Sequence, residues 1–264
     1  MKKIVALVAV LFSVVVPVQS QAADTKSLVI IDSYFQSSVA QNPITSTGAA
    51  CAQSKPIANA KASDPYNHGT AMYAVAKLQN PSISIIPICA SSAQSDVYPS
   101  QLISSLNWVK NNKDKVKAVS ISLTFNKTSL ECTPFGPVNT PKARLADDVV
   151  IRSLINDLES YGIPVFAAAG NDTNKSVSYP GCIANTLAVA HADEKGNPIA
   201  RYANGRYLVD ANTDYFARLS LDGSKWVYNT VFGPVSQTSS SATAAVASMW
   251  VTANTPKGIV NPIS

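Results

Sequence analysis

Four places in this 264-residue chain hold side chains that could do chemistry together: Asp32, His68, Asn171 and the run Ser239-Ser240-Ser241. A serine hydroxyl is a weak nucleophile until a base takes its proton, and an imidazole base needs a carboxylate to fix its tautomer and steady its charged form. Acyl transfer also needs donors aimed at the oxygen that becomes negative. Taken singly, each group has an ordinary explanation. An aspartate after a strand caps a turn, an asparagine in a turn bonds its own backbone, and serine is a preferred N-cap. A lone histidine is more often structural than catalytic. Only joint placement argues for chemistry, so the elements that present these groups decide the matter.

Ser27-Leu28-Val29-Ile30-Ile31 is a continuous apolar run, the pattern of a parallel strand buried on both faces. Asp32 falls at its carboxyl end, where open α/β sheets place their ligands. His68 opens a helical stretch that runs to Gln79 and is stopped by Asn80-Pro81. Residues 41–67 read as loop, with one short edge strand near Cys51. Further strands are expected at 82–89, 116–125, 163–169 and 187–192. The spacing of Leu102, Ile103, Leu106 and Val109 predicts an amphipathic helix over 98–112. Leu145, Val149, Leu154, Ile155 and Leu158 predict another over 142–160, ended by Gly162 and Pro164. Strands alternating with helices imply a parallel sheet covered on both faces. Asn171 then follows a strand directly through Gly170. His191 ends a strand outside any recognisable element and reads as structural.

The N-terminus is of another kind. Lys2 and Lys3 precede an apolar run from Ile4 to Val18, followed by small residues at Ser20, Ala22 and Ala23. This is the pattern of a secretory signal over residues 1–22, too short and wrongly flanked for a membrane span. The reading therefore places the protein in the periplasm or outside the cell. Residues 23–264 suit a single domain with a sizeable core and no evident pro-segment. Removing Lys2 and Lys3 lowers the formal charge from +5 to +3, too little to argue for nucleic acid or an acidic membrane surface. Four cysteines, Cys51, Cys89, Cys132 and Cys182, are an even set, so two disulfides are expected in an exported chain. Their spacing fits no common zinc pattern, and no metal is expected.

The stretch Asn67-His68-Gly69-Thr70 resembles the histidine element of the subtilisin-like serine peptidases. Asp32-Ser33 is similar to that family's aspartate element, with Tyr34 where glycine is usual. Val165-Phe166-Ala167-Ala168-Ala169-Gly170-Asn171-Asp172 is similar to its strand ending in Ala-Gly-Asn. Thr238-Ser239-Ser240-Ser241-Ala242, continuing to Val246-Ala247, resembles its serine element. Aligning Ala242 and Val246-Ala247 sets Ser240 at the nucleophile position, with Thr238 in place of glycine. The order Asp, His, Ser is the subtilisin order. The resemblance implies a subtilisin-like three-layer α/β sandwich, with a mostly parallel central sheet and helices on both faces. It also implies roles: Ser240 attacks, His68 is base and then acid, Asp32 orients His68, and Asn171 donates to the oxyanion. Ser122-Leu123-Thr124 resembles the edge on which substrate lies as an added strand; Thr124 stands where glycine is usual. Ala168, Ala169 and Gly170 are expected on the opposite side of the substrate, and Tyr179-Pro180-Gly181 resembles the turn at the base of the primary specificity pocket. The family layout further implies the pairs Cys51–Cys89 and Cys132–Cys182.

The function so implied is an exported serine endopeptidase working through an acyl-enzyme. Its partner is a polypeptide substrate, with room for a separate folding partner or inhibitor. No cofactor is expected; calcium, common in the family, is left open because no acidic cluster marks a site. The rival reading is an inactive subtilase-like binding module, which Tyr34, Thr124 and Thr238 favour. An α/β-hydrolase would need Gly-x-Ser-x-Gly, and a dehydrogenase Gly-x-Gly-x-x-Gly after the first strand; neither occurs.

Overall fold

In a computed structural model the described residues are 26–33, 35, 44–45, 68–90, 98–123, 142–171, 177–192, 215–218, 221–222, 225–230, 233–236, 238–253 and 259–260. The expected signal segment, Tyr34, Cys51, Thr124 and Cys132 lie outside them. Strand β1, Ser27–Asp32, is buried at every position, as its unbroken apolar run requires. It is flanked by β3 (Ile85–Cys89) and β4 (Val116–Ile121), both parallel to it. Beyond β3 lies the two-residue strand β2, Ile44–Thr45. Beyond β4 come β5 (Val165–Ala168), β6 (Thr186–Ala192) and β7 (Tyr215–Arg218), each parallel to its neighbour. Strands β8 (Leu221–Asp222), β9 (Lys225–Thr230) and β10 (Gly233–Ser236) form a small antiparallel sheet. Strand β11 (Ile259–Val260) pairs antiparallel to β7 and closes the main sheet, whose order is β11-β7-β6-β5-β4-β1-β3-β2.

Period-two alternation divides the core into two layers. On one face Leu28, Ile30, Ala118, Phe166 and Val189 pack against helices α1 (His68–Gln79) and α4 (Ser239–Ala253). On the other, Val29, Ile31, Val119, Ile121, Val165 and Ala167 pack against α2 (Pro99–Asn111) and α3 (Lys142–Ser160). This is the expected three-layer α/β sandwich. Each Leu, Ile or Phe so buried contributes roughly 1.5–3 kcal/mol of transfer free energy. Helix α4 is the central one. Ala242, Ala244, Ala245, Val246 and Ala247 are all buried, and their small side chains let it lie close to both α1 and the sheet. Ser248 Oγ donates to the Ala76 carbonyl at 2.7 Å, tying α4 to α1.

Helix α3 ends as its sequence demands. Gly162 adopts φ +71°, its N–H bonds Glu159 O at 2.8 Å, and Ile163 N–H bonds Leu158 O at 2.9 Å. That pair of bonds is a Schellman stop, with Ile163 and Leu158 meeting in the core below it. One expectation on this helix is corrected. Val149 is 65% exposed, while Asp148 is buried on the inward side together with Ile151. The inward side of this turn carries a carboxylate because Arg152 Nε holds Asp148 Oδ2 at 2.8 Å. The edge strand expected near Cys51 falls outside the described residues; the strand seen beside β3 is at 44–45. The third strand begins at Ile85, after a turn at Pro81–Ser82, because Lys77 Nζ and the Asn80 side chain bond that turn.

Candidate active site

Asp32 ends β1 with its carboxylate fully buried, and His68 is the first residue of α1 on the adjoining layer. His68 Nδ1 lies 2.7 Å from Asp32 Oδ1. A carboxylate only accepts, so Nδ1 carries the hydrogen and Nε2 keeps its lone pair for a proton. The Ser33 N–H donates to the same Oδ1 and fixes which oxygen faces the imidazole. Desolvation works against a charged His68, but the Asp32 charge and hydrogen bond together outweigh it and raise the pKa above 6.5. The ring remains about a quarter exposed, with its side chain at 24%.

Three adjacent serines open α4, and the fold gives each a different partner. Ser241 and Thr238 cap the helix reciprocally. Thr238 N–H donates to Ser241 Oγ at 2.9 Å, and Ser241 N–H to Thr238 Oγ1 at 3.3 Å. This box sets the helix start: Thr238 is the N-cap, Ser239 the first helical residue and Ser240 the second. A glycine at 238 could not supply that bond. Ser239 Oγ accepts the Gly170 N–H at 3.2 Å. Ser240 Oγ donates to the Ser122 carbonyl at 3.2 Å, and Ser122 Oγ donates to the Ser240 carbonyl at 3.0 Å. The Ala242 N–H is taken by Thr238 O at 3.0 Å. Among the described residues, Ser240 N–H is left as the open donor of this first turn, in the positive end of the helix dipole.

Asn171 reaches the same place from β5. Gly170 between them adopts φ +102°, and a Cβ there would run into Ser178 Oγ, so glycine is required twice over. The Asn171 Oδ1 accepts the Ser239 N–H at 2.8 Å. With its oxygen anchored on that amide, the other half of the side chain, Nδ2, is left to donate elsewhere, and the residue is exposed. Ala168 ends β5 buried, and Ala169 N–H bonds Val189 O at 2.8 Å. Ser178 N–H bonds Ala169 O at 2.8 Å, so the turn at Tyr179–Gly181 is held against the 168–170 segment. Burial pushes the Tyr179 phenol far above its usual pKa, with the Asp148 carboxylate adding to the rise and Arg152 opposing it.

The structure thus joins Asp32 to His68, Asn171 to Ser239 and Ser122 to Ser240. Among the described residues no hydrogen bond joins His68 to Ser240; the serine hydroxyl rests on Ser122 instead. Leu123 is buried beside Ser122. Cys89 and Cys182, the two described cysteines, are not free thiols. His191 lies within β6, and its side chain is outside the described residues. Sequence reasoning missed two contributors: the Ser239 amide as anchor for Asn171, and the Thr238–Ser241 box. Only the second left a trace, a hydroxyl residue three positions before another at a helix start, and serine there hides the usual Glu or Gln signal. Among the described residues no group of three or more His, Cys, Asp or Glu side chains is placed to hold a metal ion, and no helix is long and apolar enough to cross a membrane.

The architecture has known counterparts. It is similar to a lanthipeptide protease, with TM-score 0.62 and 14% identity over 86% of this chain and 72% of that one. It is also similar to the epidermin leader peptide processing serine protease (EpiP) from Staphylococcus aureus, with TM-score 0.58 and 15% identity over 87% of this chain and 65% of that one. The prenylagaramide maturation protease PagA gives TM-score 0.53 and 16% identity over 86% and 74% of the two chains. At such identities these likenesses speak for the fold. Comparison with curated proteins finds no sequence match. The subtilase family profile matches residues 32–255, and the chain belongs to that family of serine peptidases.

Proposed function

We propose that this protein is an exported endopeptidase whose catalytic groups are Asp32, His68, Ser240 and Asn171. The observation that carries the reading is the Asp32–His68 bond at 2.7 Å, made at the end of α1 that packs on α4. In the reaction, a rotation about χ1 takes the Ser240 hydroxyl from Ser122 to His68 Nε2. Oγ then attacks the scissile carbonyl as Nε2 takes its proton. The resulting oxyanion receives bonds from Ser240 N–H and from Asn171 Nδ2, a reading supported by the Ser239 N–H bond to Asn171 Oδ1. The imidazolium, stabilised by Asp32, returns the proton to the leaving amine. Water repeats the sequence to release the acyl group and restore Ser240.

A resting serine turned away from its base is compatible with this chemistry, because such bonds tighten when substrate binds. It is also the observation that favours the second reading, a fold kept for binding without turnover, together with threonine at 238. Substrate would lie as an extended strand between Ser122-Leu123-Thr124 and Ala168-Ala169-Gly170. Export rests on the signal pattern at 1–22 and on cysteines that are not free, as oxidising compartments allow. The likeness to processing proteases carries fold and not substrate, so the substrate proposed is polypeptide without further choice.

The test is to label purified protein with a fluorophosphonate and map the adduct. Modification of Ser240, abolished in Ser240→Ala, supports the reading. An adduct on Ser239 overturns the assigned register, and folded protein that takes no label favours the binding module.

A further inference from the structure

We propose that the Ser122 side chain is a positioning group for the nucleophile, holding the backbone of Ser240 to the end of β4 while the Ser240 hydroxyl leaves for His68. This rests on the reading above that Ser240 attacks the substrate.

Ser122 and Ser240 are both buried, and each hydroxyl donates to the other residue's carbonyl, Ser240 Oγ at 3.2 Å and Ser122 Oγ at 3.0 Å. The two bonds part company once the reaction begins. The first is broken, because the Ser240 hydroxyl swings to His68 Nε2. The second involves only the Ser240 backbone, so it persists through the attack. Helix formation does not require it, since a carbonyl inside a helix accepts one backbone N–H and keeps a second lone pair. The Ser122 hydroxyl therefore bears on where Ser240 stands, not on whether α4 forms.

The other bonds at the start of α4 leave that task to Ser122. The Thr238–Ser241 box lies within the helix start itself, so it sets no distance to the sheet. Ser239 is tied to the segment after β5, through the Gly170 N–H and Asn171 Oδ1. Both of those bonds meet at one residue, about which the first turn could pivot. Ser122 follows Ile121, the last residue of β4, and adds a tie from the strand beside β5. Held from two strands, the turn keeps Ser240 in a fixed place against Ser122-Leu123, where substrate is proposed to lie. Ser120, two residues earlier, is a natural comparison. It too is buried, and its hydroxyl has no partner among the described residues. Removing it deletes the same kind of atom from the same strand without touching Ser240.

The test uses the full oxidised protein and compares Ser122→Ala with Ser120→Ala. Peptide hydrolysis, the rate of inactivation by a small fluorophosphonate and the melting temperature are measured for each. In Ser122→Ala, kcat and the inactivation rate are expected to fall together on the order of three- to tenfold, the size that one neutral hydrogen bond supports. KM should stay within about twofold, because the backbone proposed to meet substrate is retained. The limb of the pH profile set by His68 should stay in place, since its bond to Asp32 is untouched. Ser120→Ala should keep both rates, and Ser122→Thr, which restores a hydroxyl, should recover most of the loss. If Ser122→Ala fails to fold, Ser122→Thr and Ser122→Val decide in its place, because they differ only by hydroxyl against methyl: a faster rate in the threonine variant supports the proposal, and equal rates overturn it. It is also overturned if Ser122→Ala keeps both rates, even with a lowered melting temperature, if Ser120→Ala loses as much, or if the loss falls on KM alone. Failure of the underlying reading is seen separately, as unaltered protein that takes no label or whose adduct maps away from Ser240.

Discussion

Replacing Asp32 by asparagine separates two things a carboxylate does for a histidine, and this structure says which one would be lost. Asp32 Oδ1 accepts both the His68 Nδ1–H and the Ser33 N–H, whereas Oδ2 is buried without a partner among the described residues. An asparagine that turned its amide nitrogen towards His68 would face the Ser33 N–H donor to donor. The favoured placement therefore keeps oxygen at the Oδ1 position and His68 in its working tautomer. What disappears is the charge that steadies the imidazolium. With unit charges about 4 Å apart and an effective dielectric of about 20, that attraction is about 4 kcal/mol. At about 1.4 kcal/mol per decade, kcat/KM should fall on the order of 10³-fold. A wrong tautomer in an otherwise intact triad costs about 10⁴.

The pH profile gives the second readout. His68 must be neutral to accept a proton, so activity rises with pH through its pKa. In the unaltered protein that limb should lie above 6.5, because Asp32 outweighs desolvation. In Asp32→Asn the charge goes while the hydrogen bond and the desolvation stay, so the limb should move to lower pH. Peptide hydrolysis followed between about pH 5 and 9, across the imidazole range, measures both quantities. A limb that does not move, or a loss below about tenfold, would show that Asp32 does not stabilise the charged base. A loss well beyond 10⁴, with nitrogen NMR placing the proton on Nε2, would refute the Ser33 argument.

Asn171→Ala should lower kcat by about 10²–10³ with little change in KM, as for removal of one oxyanion donor; indifference would remove Asn171 from the mechanism. Thr238→Ala should cost about 0.5–2 kcal/mol in thermal unfolding, the range for lost N-caps, and Ser241→Ala should lower stability through the same box while fluorophosphonate still labels Ser240. Non-reducing peptide maps should show Cys51–Cys89 and Cys132–Cys182; Cys51 joined to Cys132 or Cys182 would contradict the pairing.

The sandwich was legible because strands such as β1 and β5 carry unbroken apolar runs and α2 and α3 carry apolar residues at helical spacing. β1 and β5 could be read almost to the residue, since Asp32 and Gly170 interrupt them sharply. The antiparallel β8–β10 sheet and β11 could not, because short strands with mixed residues have no periodicity to detect. Val149 was misplaced for a related reason. Apolar spacing presumes that a helix buries its apolar residues, and it has no means of foreseeing that Asp148 would take the inward position. At the site, the four polar groups were found by type and order. Their anchoring was not, because Ser239 N–H to Asn171 and Ser122 to Ser240 are backbone-mediated bonds across 68 and 118 residues. No local pattern encodes contacts of that kind.

Those anchors also explain how a run of three serines could present one nucleophile, as the proposed function requires. Chemically the three hydroxyls are alike, so selection must come from what surrounds them. Ser241 is consumed by the helix cap, donating to Thr238 O at 3.0 Å and accepting from Thr238 N–H. Ser239 Oγ is engaged by Gly170, and its amide holds Asn171 in place. Ser240 Oγ makes a single 3.2 Å bond to a carbonyl, and among the described residues it alone of the three has its own backbone N–H open. Its neighbours on either side fix the helix start and the Asn171 side chain. On the proposed mechanism, the capping geometry that begins α4 therefore sorts the serines into one that reacts and two that build the place where it would do so.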